Sequence, residues 1–278
     1  MKREQMTLCQ KVENSIHKKY SKPIWSKFIR AIKEYKMISP GDSIAVCISG
    51  GKDSVLLAKC MQHLHRVSDF PFDLKFIVMD PGYLPQNREL IESNMAALEI
   101  PVNIFETNIF NVVYNEKNNP CYLCSRMRRG NLYAFAKELG CNKIALGHHF
   151  DDAIETVLIS VIYGSQVRAM MPKLRSDNFE GMELIRPLYL VRERDIIDWK
   201  DYNELRFLQC ACRFTEASAN HEELSKRREI KAIIAKLEEG NPQVPANIYK
   251  SIHNIKLDAV IGYTQNGVQH SFLDCYDD

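Results

Sequence analysis

Apolar positions along the chain fall into three regimes. Residues 9–37 read as helix, with Ile24, Trp25, Phe28, Ile29 and Ile32 on one face and an interruption expected near Pro23. From Ser43 onward, short β-branched runs alternate with helical periods. Strands are expected at 43–48, 74–79, 101–106 and 143–147, and helices at 53–66, 87–98, 124–139 and 151–163. Such alternation predicts an α/β fold: a parallel sheet with right-handed crossovers and helices on both faces. After about residue 190 the period is helical again, at 193–204, 215–239 and 245–257, with Gly240-Asn241-Pro242 as punctuation. The expected divisions are a basic helical segment at 1–40, an α/β domain at 41–190 and a helical region at 191–278. No repeat or low-complexity tract is visible, and the acidic tail Asp274-Cys275-Tyr276-Asp277-Asp278 is expected to be loose.

The chain's 278 residues can bury a real core, and 45% hydrophobic with 26% charged residues is ordinary for a globular protein. No apolar run approaches the ~20 residues of a membrane span. Met1-Lys2-Arg3-Glu4-Gln5 leads into no apolar signal core, so a cytoplasmic enzyme with no membrane partner is expected. Net charge is only +2, but residues 1–37 hold ten Lys/Arg against Glu4, Glu13 and Glu34. Such a basic arm suits a phosphate backbone, and it also suits a merely solvated helix face. Nine cysteines, an odd number, argue against a disulfide framework and toward reduced thiols.

Three motifs carry chemistry. Ser49-Gly50-Gly51-Lys52-Asp53-Ser54 lies between an expected strand and an expected helix. A Gly-rich turn there aims backbone N–H groups and the positive helix end at an anion. Lys52 adds a point charge, and Ser49 and Ser54 add hydroxyl donors. The glycines are adjacent and the lysine follows directly, so this is not the G-x-x-x-x-G-K-[ST] loop. The bland alternative is a plain βα turn with a surface lysine.

Cys121-Tyr122-Leu123-Cys124 opens a predicted helix, where thiol pKa falls, and Arg126, Arg128 and Arg129 follow. A redox pair, a zinc site and an iron–sulfur site all remain open for it. Cys210-Ala211-Cys212 offers a further thiolate, and three thiolates on a four-iron cluster leave one iron open. Cys47, Cys60 and Cys141 read as core. Gly147-His148-His149-Phe150-Asp151-Asp152 is the third motif. Its acidic pair suits a helix N-terminus for the dipole alone, and it also suits holding Mg²⁺ on a nucleotide or orienting the acceptor.

SGGKDS resembles the PP-loop of ATP pyrophosphatases, which cleave ATP to AMP and pyrophosphate. With CYLCSRMRRGNLY and IALGHHFDDAIET in this order, the chain resembles the tRNA-cytidine 2-sulfurtransferases from about residue 40 to 215. The stretches ending Met171-Pro172-Lys173-Leu174 and Ile185-Arg186-Pro187-Leu188 add to the likeness. The resemblance implies a Rossmann-like, adenine nucleotide alpha hydrolase-like fold with helical additions at both ends. It implies ATP bound by Ser49, Gly50, Gly51, Lys52, Asp53, Ser54, Gly147 and His148, with Lys52, Asp53, Asp151 and Asp152 catalytic and Mg²⁺ on the phosphates. A 4Fe-4S cluster would sit on Cys121, Cys124 and a third cysteine. The family pattern there is I-P-C-x-x-C against Leu208-Gln209-Cys210-Ala211-Cys212 here; alignment on the first cysteine selects Cys210, and a one-residue deletion selects Cys212. Arg126, Arg128 and Arg129 would contact RNA.

The activity implied is ATP-dependent replacement of the carbon 2 oxygen of an anticodon-loop cytidine by sulfur, with tRNA as partner. Sulfur would come from a cysteine desulfurase or from inorganic sulfide, and a homodimer is among the states allowed. Two competitors differ in class. A lysidine-type PP-loop ligase, or a thiolase of another base, would share the loop; the ligase would need no cysteine cluster. A non-catalytic iron–sulfur or zinc RNA-binding module would release no pyrophosphate.

Overall fold

The computed structural model describes residues 6–114, 120–208 and 222–276. Ile44-Ala45-Val46-Cys47-Ile48 is buried throughout, as a central strand of a doubly covered sheet must be. It forms β1 (Ser43–Ile48), flanked by β2 (Asp73–Asp80) and β4 (Lys143–Ala145). With β3 (Val102–Glu106), β5 (Lys173–Arg175) and β6 (Glu183–Ile185) it builds a six-stranded sheet in the order β3-β2-β1-β4-β6-β5. All pairs are parallel except β5 with β6. Strand order therefore reverses direction at β1/β4. In open α/β sheets such a switch point opens the crevice where ligands bind.

Helix α1 (Leu8–His17) and α2 (Ser26–Glu34) precede the sheet; α3 (Lys52–Val67), α4 (Pro85–Ala97), α5 (Ile109–Tyr114), α6 (Pro120–Glu138), α7 (Phe150–Gly164) and α8 (Glu193–Tyr202) follow in order. Ala45, Cys47, Ile77, Ile144 and Leu184 form one core layer with Tyr133 and Ala136 of α6. Strand alternation sends Ile44, Val46 and Ile48 to the opposite face, and α3 also packs on β1 and β2. The expected interruption at Pro23 is a single π-turn at Ser21–Trp25. There Ile24 and Trp25 both donate to the Tyr20 carbonyl, and proline's missing N–H costs no bond.

Two buried lysines pin the frame. Lys59 of α3 meets Glu13 Oε1 at 2.8 Å, the Leu98 carbonyl at 3.0 Å and Cys9 Sγ at 3.2 Å, tying α1 to α3. Lys143, at the start of β4, meets Asp42 at 2.7 Å, Glu183 at 3.2 Å and the Met37 carbonyl at 3.0 Å. Both cations are partnered on several sides, as burial of a charge demands. The second lysine sits at the N-terminal strand ends, away from the ligand edge.

The chain divides into two compact units. One comprises the residues up to Ala153 with Met171–His221, and includes the sheet and the N-terminal helices. The other comprises Ile154–Met170 with Glu222–Asp278. In the second unit the helices Glu222–Gly240 and Val244–Ser251 are followed by β7 (Gly262–Gln265) and β8 (Val268–Ser271), an antiparallel hairpin. Asn266 and Gly267 both have positive φ, as a tight two-residue hairpin turn requires. The region after 190 is thus not wholly helical. Phe272–Cys275 forms a 3-10 turn capped by Ser271, so the expected loose tail starts ordered, and its last residues, Asp277 and Asp278, lie outside the described residues. No described helix is long and apolar enough to cross a membrane.

Candidate active site

The turn after β1 is held open by its own side chains. Ser54 Oγ accepts from the Ser49 N–H at 3.1 Å and donates to the Gly51 carbonyl at 2.9 Å, with Ser49 Oγ 3.2 Å away. Ser54 is buried, so its hydroxyl shapes the loop from within. Gly50 has φ +81°, and a Cβ on it would sit 2.8 Å from Ile91 Cγ1. Gly51 precedes α3 as its N-cap. The N–H groups of Lys52, Asp53 and Ser54 therefore lie in the first turn, where helix geometry provides no carbonyl partner. Together with the dipole of a 16-residue helix they form a cradle for phosphate.

Charge gathers at the same end. Lys52 Nζ lies 3.2 Å from Asp53 Oδ2 and 3.2 Å from Glu193 Oε1. Burial pulls the Lys52 pKa down, but the two carboxylates outweigh it and hold the ammonium above the ordinary lysine value. Asp53 shows the reverse balance. Burial pushes its carboxyl above the usual range despite His149 and Lys52, and its Oδ1 is buried with no hydrogen-bond partner. His149 Nε2 is 3.9 Å from that oxygen, a gap that leaves Oδ1 available to a cation or ligand proton.

The third motif follows β4 at the neighbouring strand end. His149 donates its N–H to Asp152 Oδ2 at 2.9 Å, and the Asp152 N–H donates to His149 Nδ1 at 3.3 Å. This reciprocal pair starts α7 and sets the His149 ring with Nε2 toward Asp53. Asp151 turns to the start of α8. Arg192 Nε donates to its Oδ1 at 3.0 Å, and the Glu193 N–H donates to its Oδ2 at 2.6 Å. His148 Nδ1 receives Arg186 Nε at 3.4 Å, and Arg186 Nη1 also donates to the Met171 carbonyl. Burial pulls the Arg186 guanidinium down to about 10, with Tyr189 opposing and the nearby Arg129 adding to the shift. The close approach made possible by Gly147 is to the loop backbone itself, since a Cβ there would lie 3.0 Å from Asp53 C and Ser54 N.

Cys121 and Cys124 fall one helical turn apart at the start of α6. Cys124 is half-buried beside Leu123, Met127, Phe105 and the buried Met79, Ile109 and Val113. Arg128 faces the Tyr83 phenol, whose pKa is raised chiefly by burial and opposed by Arg128 as neighbouring charge and hydrogen-bond partner. Arg126 is exposed, whereas Arg129 is close enough to Arg186 and Tyr133 to perturb both. Cys210 and Cys212 lie outside the described residues. Among the described residues no three His, Cys, Asp or Glu side chains gather as for a metal ion.

The structure brings the first and third motifs into contact and adds Arg186, met in the sequence only within the stretch Ile185-Arg186-Pro187-Leu188, with Arg192 and Glu193, which no local motif marked. One signal for them was available. The apolar run Leu188–Val191 leading to an acidic helix start is another loop at the same sheet edge.

The chain matches the PP-loop domain family over residues 22–237. It is 38% identical over 231 residues to the tRNA-cytidine(32) 2-sulfurtransferase of Coxiella burnetii (strain RSA 493 / Nine Mile phase I), covering 82% of this chain and 87% of that protein. The enzyme of the same name from Alcanivorax borkumensis is 36% identical, covering 81% of this chain and 78% of that protein. Among solved structures, the U34-tRNA thiolase NcsA from Methanococcus maripaludis with its 4Fe-4S cluster superposes with a TM-score of 0.64. At 20% identity, over 83% of this chain and 79% of that one, it shows a shared fold. A phosphate cradle at the sheet's switch point, a histidine- and aspartate-rich turn pressed against it, and relatives alike over most of their length converge: the chain belongs to the PP-loop domain family and, within it, to the tRNA-cytidine(32) 2-sulfurtransferases.

Proposed function

We propose that the chain is an ATP-dependent, iron–sulfur-dependent tRNA thiolase that converts an anticodon-loop cytidine to 2-thiocytidine. The observation that carries this is the contact of the two loops after β1 and β4, with Lys52, Asp53, His149 and the first turn of α3 on one edge. A carbonyl at carbon 2 of a pyrimidine is a poor electrophile because its oxygen is a poor leaving group. Its oxygen attacks the α-phosphorus of ATP, the α–β bridging bond breaks, and pyrophosphate departs. Sulfide then adds at carbon 2 and AMP leaves with the original oxygen.

The chain's own groups serve the first half. Lys52 and the N–H groups of the first turn of α3 meet the charge that develops on pyrophosphate. Of the acidic oxygens, the orphaned Asp53 Oδ1 suits Mg²⁺ bound with the phosphates, whereas Asp151 is engaged by Arg192 and the Glu193 N–H and Asp152 Oδ2 by the His149 N–H. Cys121, Cys124 and Cys210 would hold the cluster: Cys121 and Cys124 fall one turn apart at a helix start, and Cys124 lies beside an apolar layer. A cluster bound by three thiolates supplies an iron open to sulfide. Arg126 and Arg129, both exposed, would meet RNA phosphate, and Arg128, which faces the Tyr83 phenol, would join them at the site mouth. Sulfur arrives from a cysteine desulfurase or as inorganic sulfide, and the reaction takes place in the cytoplasm.

The test is the bond cleaved. Incubation with ATP and tRNA should yield AMP and pyrophosphate, and Lys52→Ala should abolish this with the fold intact by circular dichroism. ADP with inorganic phosphate would overturn the assignment.

A further inference from the structure

We infer that Glu193 is a positioning residue for the phosphate-handling lysine: its carboxylate fixes where Lys52 Nζ sits and couples that placement to Asp151. The inference rests on the thiolase function proposed above. A lysine side chain is a point charge on a flexible stem, and nothing in a diglycine turn orients it. Asp53 is its neighbour in the chain and moves with it. Glu193 comes from 141 residues away, on a different element, and still meets Nζ at 3.2 Å. Only the second contact sets a direction relative to the rest of the site.

Glu193 is itself held. Its backbone N–H donates to Asp151 Oδ2 at 2.6 Å, and the guanidinium beside it in the chain, Arg192, lies on the same carboxylate at 3.0 Å. The side chains of Lys52, Glu193, Asp151 and Arg192 are 23%, 17%, 14% and 15% exposed, so water screens these contacts weakly. A continuous path thus runs from the loop after β4, through the first residues of α8, to the cation of the loop after β1. An ammonium has three N–H donors. Two are directed at Asp53 and Glu193, which leaves one to meet a phosphate oxygen. Asp151 gains a role in this arrangement: it braces the start of α8, and through it the lysine.

The test uses full-length protein carrying Glu193→Gln, which keeps a hydrogen-bond acceptor without the charge, and Glu193→Ala, which keeps neither. With ATP and tRNA, Glu193→Ala should lower kcat for pyrophosphate release about ten- to hundred-fold, since misplacing one charged group by an ångström costs that much. KM for ATP should change less than kcat. Glu193→Gln should fall between the two, and the alkaline limb of its pH–rate profile should move to lower pH as Lys52 loses a counter-charge. Labelling of Lys52 by an amine-reactive reagent, read by peptide mass spectrometry, should accelerate several-fold in both variants. This readout needs no turnover. Wild-type protein that releases no pyrophosphate would overturn the thiolase function while labelling still tests the brace. Unchanged labelling together with an unshifted alkaline limb, in variants whose melting temperature is that of the wild type, would overturn the role of Glu193. If Glu193→Ala fails to fold, Glu193→Gln decides the question alone.

Discussion

Gly147 and Asp53 touch backbone to backbone. A Cβ on Gly147 would lie 3.0 Å from the Asp53 carbonyl carbon and 3.2 Å from its oxygen. The loop after β4 is therefore a wall of the phosphate loop as well as its neighbour. Backbone atoms cannot swing aside as a side chain would, so Gly147→Ala must push the first turn of α3. We expect it to cost about 1–3 kcal/mol in stability, the usual range for overpacking. ATP affinity should fall about ten-fold from the displaced amides. Thermal unfolding and nucleotide titration check this, and wild-type values in both would show that the loops separate at no cost.

Asp53 sets function against stability. Burial raises its pKa, so the folded state binds this proton more tightly than the unfolded chain does. Its contribution to stability is therefore greatest below the ordinary carboxylate range and is lost as pH rises through the raised folded value. Asp53→Asn removes the buried charge. Its melting temperature at neutral pH should equal or exceed that of the wild type, while pyrophosphate release is lost. A clear drop in melting temperature would show that the carboxylate is a net structural support.

His17 gives the fold an acid-sensitive point away from the site. Its ring lies 3.6 Å from that of His63 and edge-on to Trp25 at 4.8 Å, and its Nε2 is buried without a hydrogen-bond partner. Burial, then the neighbouring His63, bring its pKa down to about 4. The unfolded chain takes up this proton near 6.5, so the stabilisation is complete above that pH and fades as pH falls toward about 4. Part of the side chain is solvated, so the loss is about 1–3 kcal/mol rather than the full linkage value. Urea unfolding at pH 7 and pH 5 should show it. His17→Phe, which keeps the stacking, should flatten the difference.

The cysteines separate an iron–sulfur enzyme from a ligase. Protein purified without oxygen should be brown, with a visible absorption shoulder that air bleaches. Cys121→Ala or Cys124→Ala should lose iron and thiolation together. Cys210→Ala should do the same, whereas Cys212→Ala should keep most of both. Stoichiometric zinc with no iron would contradict this, because a closed zinc site has no open position for sulfide.

Much of the frame was legible because local and global signals agree in it. The apolar run 43–48 is the strand β1 to the residue, and helices α3 and α7 differ from expectation by one residue at each end. The strand expected at 143–147 ends at Ala145; Leu146 still donates to the Ile185 carbonyl, and from Gly147 the chain packs against the loop after β1 instead of pairing on. Three-residue strands such as β5 and β6 carry too few positions to show a period. They exist because pairing, a long-range property, completes them. The hairpin at 262–271 did carry a local signal in Asn266-Gly267, set between runs too polar to read as strands. At the site, phosphate loop and acidic turn are contiguous strings and could be found by inspection. Glu193 could not, since its meaning lies in a contact with a lysine 141 positions earlier.

The most direct measurement is nucleoside mass spectrometry of tRNA treated with anaerobically purified protein, ATP and sulfide, with AMP and pyrophosphate quantified in the same mixture. The structure and the family relationship predict 2-thiocytidine in the digest, with AMP and pyrophosphate formed in equal amounts and at least one of each per sulfur transferred. Unmodified cytidine in a mixture where the protein carries its cluster and ATP is present, or ADP and inorganic phosphate in place of AMP and pyrophosphate, would contradict them.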